Sequence, residues 1–366
     1  MLILADEEIP GVEHYFGSYG ELIFKTGRTL THEDVCDADI LLVRSVTEIN
    51  KVLLQNTNVK FVGSVVSGTD HLNIDWLEQA GIRWSAALGC NAVAVAEYVV
   101  TVIAALQKKG LLLNKKSRAG VIGVGKVGSR VVEKLKIVGF DVVQCDPLRA
   151  QKEKEFISVP IEELTDLDIV LLHTPLTTDG PYPTYHLVEK NFLQKQKKGC
   201  VLLSAGRGSV IHFPDLLHYG QHLIWCLDVW ENEPMINLDV LSNAMIASPH
   251  IAGHSVQSKY RGIQMVYEAA VQQGIIFDKK IPPISFPRAE LSFPNEKMDW
   301  REVVLQVFDP LEITLFMQEA FRKEGPAVFD LLRKRFKRGD EFGFISGRGG
   351  VLGADDLALL KQLGFS

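Results

Sequence analysis

Residues 119–146 read AGVIGVGKVGSRVVEKLKIVGFDVVQCD, and their order predicts a dinucleotide-binding unit. A short apolar strand with Val121 and Ile122 comes first, followed by three glycines at one-x-two spacing, Gly123, Gly125 and Gly128. The first glycine permits a tight strand-to-helix turn, the second lets backbone approach a pyrophosphate, and the third lets helix and sheet pack closely. A helical run follows, with Val131, Val132, Leu135 and Val138 on one side. Its opening residues, Lys126 and Val127, bring backbone N–H groups and the favourable dipole end to phosphates. A second strand, Val142 and Val143, closes on Asp146. A carboxylate there accepts hydrogen bonds from the adenosine ribose diol and repels a 2′-phosphate, so Asp146 argues for NAD over NADP.

The whole chain sets the frame for this unit. At 366 residues it exceeds one ordinary core, which predicts two or three domains. Hydrophobic residues at 46% and charged residues at 23% describe a globular protein. A net charge of −6 argues against a general nucleic-acid or anionic-membrane surface. Cys36, Cys90, Cys145, Cys200 and Cys226 are scattered without C-x-x-C spacing, which favours buried thiols in a reducing compartment and no metal site. The start, MLILADEEIPG, reads as a first strand and not a signal peptide. Glu97 interrupts the best membrane-span candidate, and the expected location is the cytoplasm.

Taken in order, strands are expected at 2–5, 39–43, 59–65 and 82–85, with helical segments around 47–56 and 73–80. Such alternation predicts a parallel sheet with crossover helices, its ligand edge at RSVT (44–47) and SGTDH (67–71). The run CNAVAVAEYVVTVIAALQKKG, 90–110, predicts a helix apolar on nearly every side and therefore buried. DIVLLHTP (168–175), KKGCVLLSAGRG (197–208), LIWCLDVWENEP (223–234) and AMIASPHIAG (244–253) continue the strand rhythm. Residues 255–275 return to helical period. FDKKIPPISFPRAELSFP (277–294) reads as an extended linker, and the tail as a strand at 301–309 with helices at 311–323, 327–336 and 354–364. The expected α/β architecture is two Rossmann-like lobes around a cleft plus a small α+β C-terminal domain. The expected boundaries are 1–92 with 254–280 for one lobe, 93–253 for the dinucleotide lobe, and 287–366 for the tail.

Three residues at neighbouring strand ends suggest chemistry. Arg207 could pin a carboxylate with its planar fork. His250 could take a hydroxyl proton as hydride leaves the same carbon, and Glu233 could orient the imidazole and favour its protonated form. Local sequence leaves Glu231 as a rival to Glu233, and Asp228 as either a nicotinamide contact or a turn cap.

The segments GVGKVG (123–128), RG (207–208), LDVWENEP (227–234) and SPHIAGH (248–254) resemble the D-isomer-specific 2-hydroxyacid dehydrogenase family. RSVT, FVGSVVSGTDH (61–71), CNAVAVAEYV (90–99) and CDPLRA (145–150) narrow the likeness to a branch acting on a small phosphorylated hydroxy acid. The resemblance implies Arg207, Glu233 and His250 as catalytic. It implies NAD contacts at Asp146, Thr174, Ala205, Gly206, Arg207, Asp228 and Gly253, and a homodimer formed through the C-terminal domain. Ser45 would touch substrate. Val66 stands where the family branch offers a threonine hydroxyl, and His254 where tyrosine is common. His212 replaces a usual acid, and the approach to the first dinucleotide strand, 114–121, is shortened. Arg44, His71, His254 and Arg348 are the basic candidates for a phosphate. Another D-2-hydroxyacid dehydrogenase, of phosphoglycerate, glycerate or lactate type, and a catalytically silent NAD-sensing protein stay open as alternatives.

Overall fold

Short apolar runs separated by polar, capped segments dictate both sheets. The computed structural model describes residues 1–113, 117–336 and 339–365, so 114–116 of the shortened approach lie outside the described residues. The chain divides into two compact units, one of 1–91 with 256–286, the other of 92–255 with 287–366.

In the first unit, β1 (Leu2–Asp6), β2 (Glu21–Lys25), β3 (Ile40–Val43), β4 (Phe61–Ser64) and β5 (Arg83–Ala86) form a parallel sheet in the order β2-β1-β3-β4-β5. All four residues of β3 are buried, as expected of a central parallel strand covered on both faces. Asn50 and Asn73 cap the short helices Lys51–Leu54 and Ile74–Gln79 by accepting from Leu53 N–H and Trp76 N–H. The helix Val256–Gln272 returns to this unit, and at Gly262 a Cβ would stand 2.2 Å from the Val65 carbonyl oxygen. Only glycine allows that approach.

In the second unit, β6 (Arg118–Ile122), β7 (Asp141–Cys145), β8 (Ile169–Leu172), β9 (Val201–Ser204), β10 (Ile224–Leu227) and β11 (Ile246–Ala247) run parallel in the order β11-β10-β9-β8-β6-β7. The order reverses at β6, which has β7 on one side and β8 on the other, so the ligand crevice of such a sheet opens beyond the ends of β6 and β8. The helix Ala92–Lys108 is buried at 15 of its 17 residues, which is why polar residues are nearly excluded from it. It packs within its unit against the helices Lys126–Ile137 and Trp300–Val307. Each valine or leucine so enclosed stabilises the fold by roughly 1.5–3 kcal/mol.

The C-terminal residues add β12 (Ala289–Met298) and β13 (Ile345–Leu352), a parallel pair, and the helices Trp300–Val307, Pro310–Glu324, Phe329–Arg335 and Ala354–Leu363. The alternation that suggested a strand at 301–309 misled, because Asp299 and Glu302 form a capping box that starts a helix. That helix buries Trp300, Val303 and Val304, spaced i, i+3, i+4. The proline-rich segment starts without regular secondary structure, with Lys280 at φ +52°, and from Ala289 onward it belongs to β12. Hydrogen bonds join the tail to the six-stranded sheet and its helices. Thr314 Oγ1 accepts from Ala247 N–H at 2.8 Å, Lys134 Nζ donates to Leu363 O at 2.6 Å, and Phe342 N–H donates to Glu97 Oε1 at 3.0 Å. Among the described residues no helix is long and apolar enough to cross a membrane.

Candidate active site

The glycine-rich turn follows β6 directly. Gly123 has φ +83°, and a Cβ on it would stand 2.7 Å from Thr174 N, so glycine is required by both conformation and space. At Gly128 a Cβ would fall 2.0 Å from Gly123 O. Gly125 faces open space and caps the helix Lys126–Ile137, whose first residue Lys126 is exposed. Asp146 follows β7 directly, with both carboxylate oxygens oriented: Oδ2 accepts from Val124 N–H at 2.8 Å and Oδ1 from Arg149 N–H at 2.9 Å. The Arg149 guanidinium is committed to Val124 O, Ser129 Oγ and Glu153, and lies over the Phe156 ring at 4.4 Å. Arg149 is thus turned to the turn's own backbone.

The opposite side of the crevice is β8 and β9. A Cβ on Gly206 would stand 3.0 Å from Thr174 O, which brings the loop Ala205–Arg207 close to Thr174. Thr174 Oγ1 and Ser204 Oγ are buried there without a hydrogen-bond partner among the described residues. Unsatisfied buried hydroxyls beside a glycine cradle, a free helix start and an oriented carboxylate fit a polar dinucleotide.

Beyond β10 and β11 the chain brings an imidazole and a carboxylate together. His250 Nδ1 lies 2.7 Å from Glu233 Oε2, and Glu233 Oε1 accepts from Trp230 N–H at 2.8 Å. Burial alone would raise the Glu233 pKa. The adjacent His250, by charge and hydrogen bond, the Trp230 N–H and the more distant Arg333 together hold it below the usual carboxylate range. The alternative acid Glu231 pairs elsewhere, its Oε1 lying 2.7 Å from His186 Nε2. Asp228 is buried, and its carboxylate accepts from Ser248 Oγ at 2.6 Å, Ile251 N–H at 2.8 Å and Ala252 N–H at 3.0 Å. It thereby shapes the loop that carries His250, which sits at φ +55°. Tyr98 OH reaches Ser248 Oγ at 2.7 Å and Trp230 Nε1 donates to Ser248 O at 2.9 Å, bracing the same loop. Burial pushes the Asp228 pKa up, with His250 and the three donors opposing it. Arg207 is half-buried and donates from Nη1 to Gly206 O at 3.0 Å. Gly253 and His254 follow in the same loop, both half-buried.

The first unit carries its own sequence candidates at the ends of its strands. Ser45 is exposed and Val66 half-buried, just beyond β3 and β4. Arg44 pairs with buried Asp6 at 3.0 Å and with Glu8 at 3.4 Å, so its charge is already answered by two carboxylates. His71 Nε2 lies 2.9 Å from Ser64 Oγ. Arg348, on β13 of the second unit, pairs with Glu290 at 2.7 Å.

His173 went unnoticed in the sequence. It follows β8 directly, is half-buried overall, and has both ring nitrogens enclosed without a partner among the described residues. Burial pushes its pKa down from 6.5 to about 4. Below pH 6.5 the unfolded chain takes up this proton and the folded chain does not, so stability drains as pH falls from 6.5 towards 4. The loss is on the order of 3 kcal/mol at ~1.36 kcal/mol per unit. In thermal melts, His173→Gln should flatten the decline in that window relative to wild type. Parallel pH curves for the two proteins would refute the assignment.

A parallel sheet with this turn and an acid–imidazole pair at its strand ends defines an NAD-dependent dehydrogenase. Residues 102–252 match the family described as D-isomer specific 2-hydroxyacid dehydrogenase, NAD binding domain. The chain is 44% identical over 351 residues to erythronate-4-phosphate dehydrogenase of Coxiella burnetii (strain RSA 331 / Henzerling II), covering 94% of each chain. It is 38% identical to the Edwardsiella ictaluri protein of the same name, covering 100% of this chain and 99% of that one. A D-lactate dehydrogenase from Aquifex aeolicus, solved with NAD and lactic acid, superposes with TM-score 0.63 at 22% identity, over 75% of this chain and 96% of that one. The chain belongs to the D-isomer-specific 2-hydroxyacid dehydrogenase family.

Proposed function

We propose that this protein oxidises 4-phospho-D-erythronate to 2-oxo-3-hydroxy-4-phosphobutanoate with NAD, a step of pyridoxal phosphate (vitamin B6) biosynthesis in the cytoplasm. The observation that carries the chemistry is the His250–Glu233 pair at 2.7 Å, and near-full-length likeness to erythronate-4-phosphate dehydrogenases supports the substrate. Glu233, held ionised, only accepts hydrogen bonds, so the His250 proton sits on Nδ1 and Nε2 is left as the base. His250 Nε2 takes the C2 hydroxyl proton, and Arg207 holds the substrate carboxylate. NAD supplies the acceptor for the hydride that leaves C2. The turn Gly123–Gly128, Asp146, Thr174, Ala205–Arg207, Asp228 and Gly253 would hold it. The proton returned by His250⁺ in the reverse direction makes the same residue the acid for 2-oxo acid reduction. The reading extends to Ser45, Val66 and His254 as substrate contacts, supported by resemblance to the family.

We place the homodimer contact on the C-terminal residues, where Leu315, Leu331 and Val351 are exposed apolar side chains. A panel of hydroxy acids with NAD and NADP tests the reading. NAD-dependent turnover of 4-phosphoerythronate should far exceed that of unphosphorylated erythronate, 3-phosphoglycerate and D-lactate. Equal efficiency with the unphosphorylated acid would remove the phosphate from the proposal, and preference for another acid would replace the substrate.

A further inference from the structure

The loop with Arg207 and the loop with Glu233 must keep a fixed register if one is to hold a carboxylate while the other orients the base. At the backbone they already touch: a Cβ on Gly208 would lie 2.0 Å from both the carbonyl carbon and oxygen of Trp230. A third segment, 175–188, crosses them. It is closed on itself by Thr184, which donates from Oγ1 to Pro175 O at 2.6 Å and whose Oγ1 accepts from Thr177 N–H at 2.8 Å. His186 stands in this segment at φ +52°, a left-handed conformation that a non-glycine residue holds only when its surroundings enforce it.

His186 binds in both directions. Its backbone N–H donates to Ser209 O at 2.8 Å, two residues after Arg207. Its ring Nε2 lies 2.7 Å from Glu231 Oε1, two residues before Glu233. The neighbours Val188 and His212 extend the first attachment: Val188 N–H donates to Val210 O at 3.0 Å, and His212 N–H to Val188 O at 3.0 Å. The ring is fixed between Tyr185, stacked at 3.8 Å, and His212 at 4.5 Å, with His212 itself 3.2 Å from Asp215. Neither His186 nor Glu231 pairs with the His250–Glu233 couple.

We propose that His186 is a positioning residue that clamps the Arg207 loop to the Glu233 loop through Glu231. The clamp rests on the functional reading above, and it deepens that reading by giving Glu231 and His212 a task in the same site. Substrate contact is not part of the role. Removing the ring leaves the Ser209 attachment and the Gly208–Trp230 contact in place but frees Glu231, so the stretch from Glu231 to Glu233 can shift relative to Arg207.

The test is steady-state oxidation of 4-phosphoerythronate by the full-length His186→Ala, His186→Gln and Glu231→Ala variants, with NADH affinity titrated in parallel. His186→Ala should lose roughly ten- to a hundredfold in kcat, the scale of a small misplacement of catalytic groups, with NADH affinity unchanged. His186→Gln keeps an N–H donor for Glu231 and should recover most of that loss. Glu231→Ala cuts the clamp from the other end and should match His186→Ala. Wild-type kcat in His186→Ala, or no recovery in His186→Gln, would overturn the clamp. If His186→Ala does not fold, wild-type kcat in Glu231→Ala overturns it instead. Failure of the wild type to oxidise 4-phosphoerythronate, with turnover of another 2-hydroxy acid, strikes the substrate alone, and the variants are then compared on that acid.

Discussion

His250→Ala should lower kcat for hydroxy-acid oxidation by about a thousandfold, inside the 10²–10⁴ that a positioned acid–base group supplies. The expectation comes from the pairing of Nδ1 with Glu233 at 2.7 Å, which leaves Nε2 as the proton acceptor. Alanine offers no acceptor, and the hydroxyl proton must then leave to solvent. NADH affinity should hold, because the glycine turn and Asp146 lie at the ends of β6 and β7, away from β10 and β11 in sheet order, and the loop contacts assigned to NAD, Asp228 and Gly253, do not involve the His250 side chain. Initial rates and an NADH titration on the same preparation separate the two effects. A drop of only severalfold in kcat would strip His250 of its role in proton transfer.

The second large effect is expected at Arg207. Arg207→Lys keeps the charge but replaces a planar fork with a point charge, and should cost about 10²–10³ in kcat/KM, comparable to losing one preorganised donor. The loop is confined by the close approach of Gly206 to Thr174 and of Gly208 to Trp230, so a lysine cannot recover the geometry by moving the backbone. Both KM for the hydroxy acid and kcat should suffer, since the carboxylate fixes the orientation of C2. A Lys variant with wild-type kcat/KM would place the carboxylate on some other residue.

Much of this arrangement was legible because the signals are local. The glycines, the strand before them and Asp146 constrain one another within a single strand–helix–strand unit, and the structure seats them at the reversal between β6 and β8. The apolar helix after residue 90 announced its burial by composition alone. Other features depend on neighbours distant in sequence. Glu231 and Glu233 look equivalent in LDVWENEP, and only the folded loops send one to His186 and the other to His250. Asp228 gives no local sign that three of its hydrogen bonds come from the loop at 248–252. β2 was missed because ELIFK is an edge strand with little fully buried surface, which weakens the apolar pattern. At 301–309 the apolar spacing satisfied two periods, and the cap at Asp299, not the spacing, decides for a helix.

If hydride leaves C2 of the hydroxy acid for NAD while His250 takes the hydroxyl proton, a deuterium at C2 must end in the cofactor. The most direct measurement follows deuterium from 4-phospho-D-erythronate labelled at C2 through one turnover. The label should be recovered in the reduced cofactor, and the rate should be slower than with unlabelled substrate whenever chemistry limits turnover. Label appearing in water, with none in the cofactor, would contradict it.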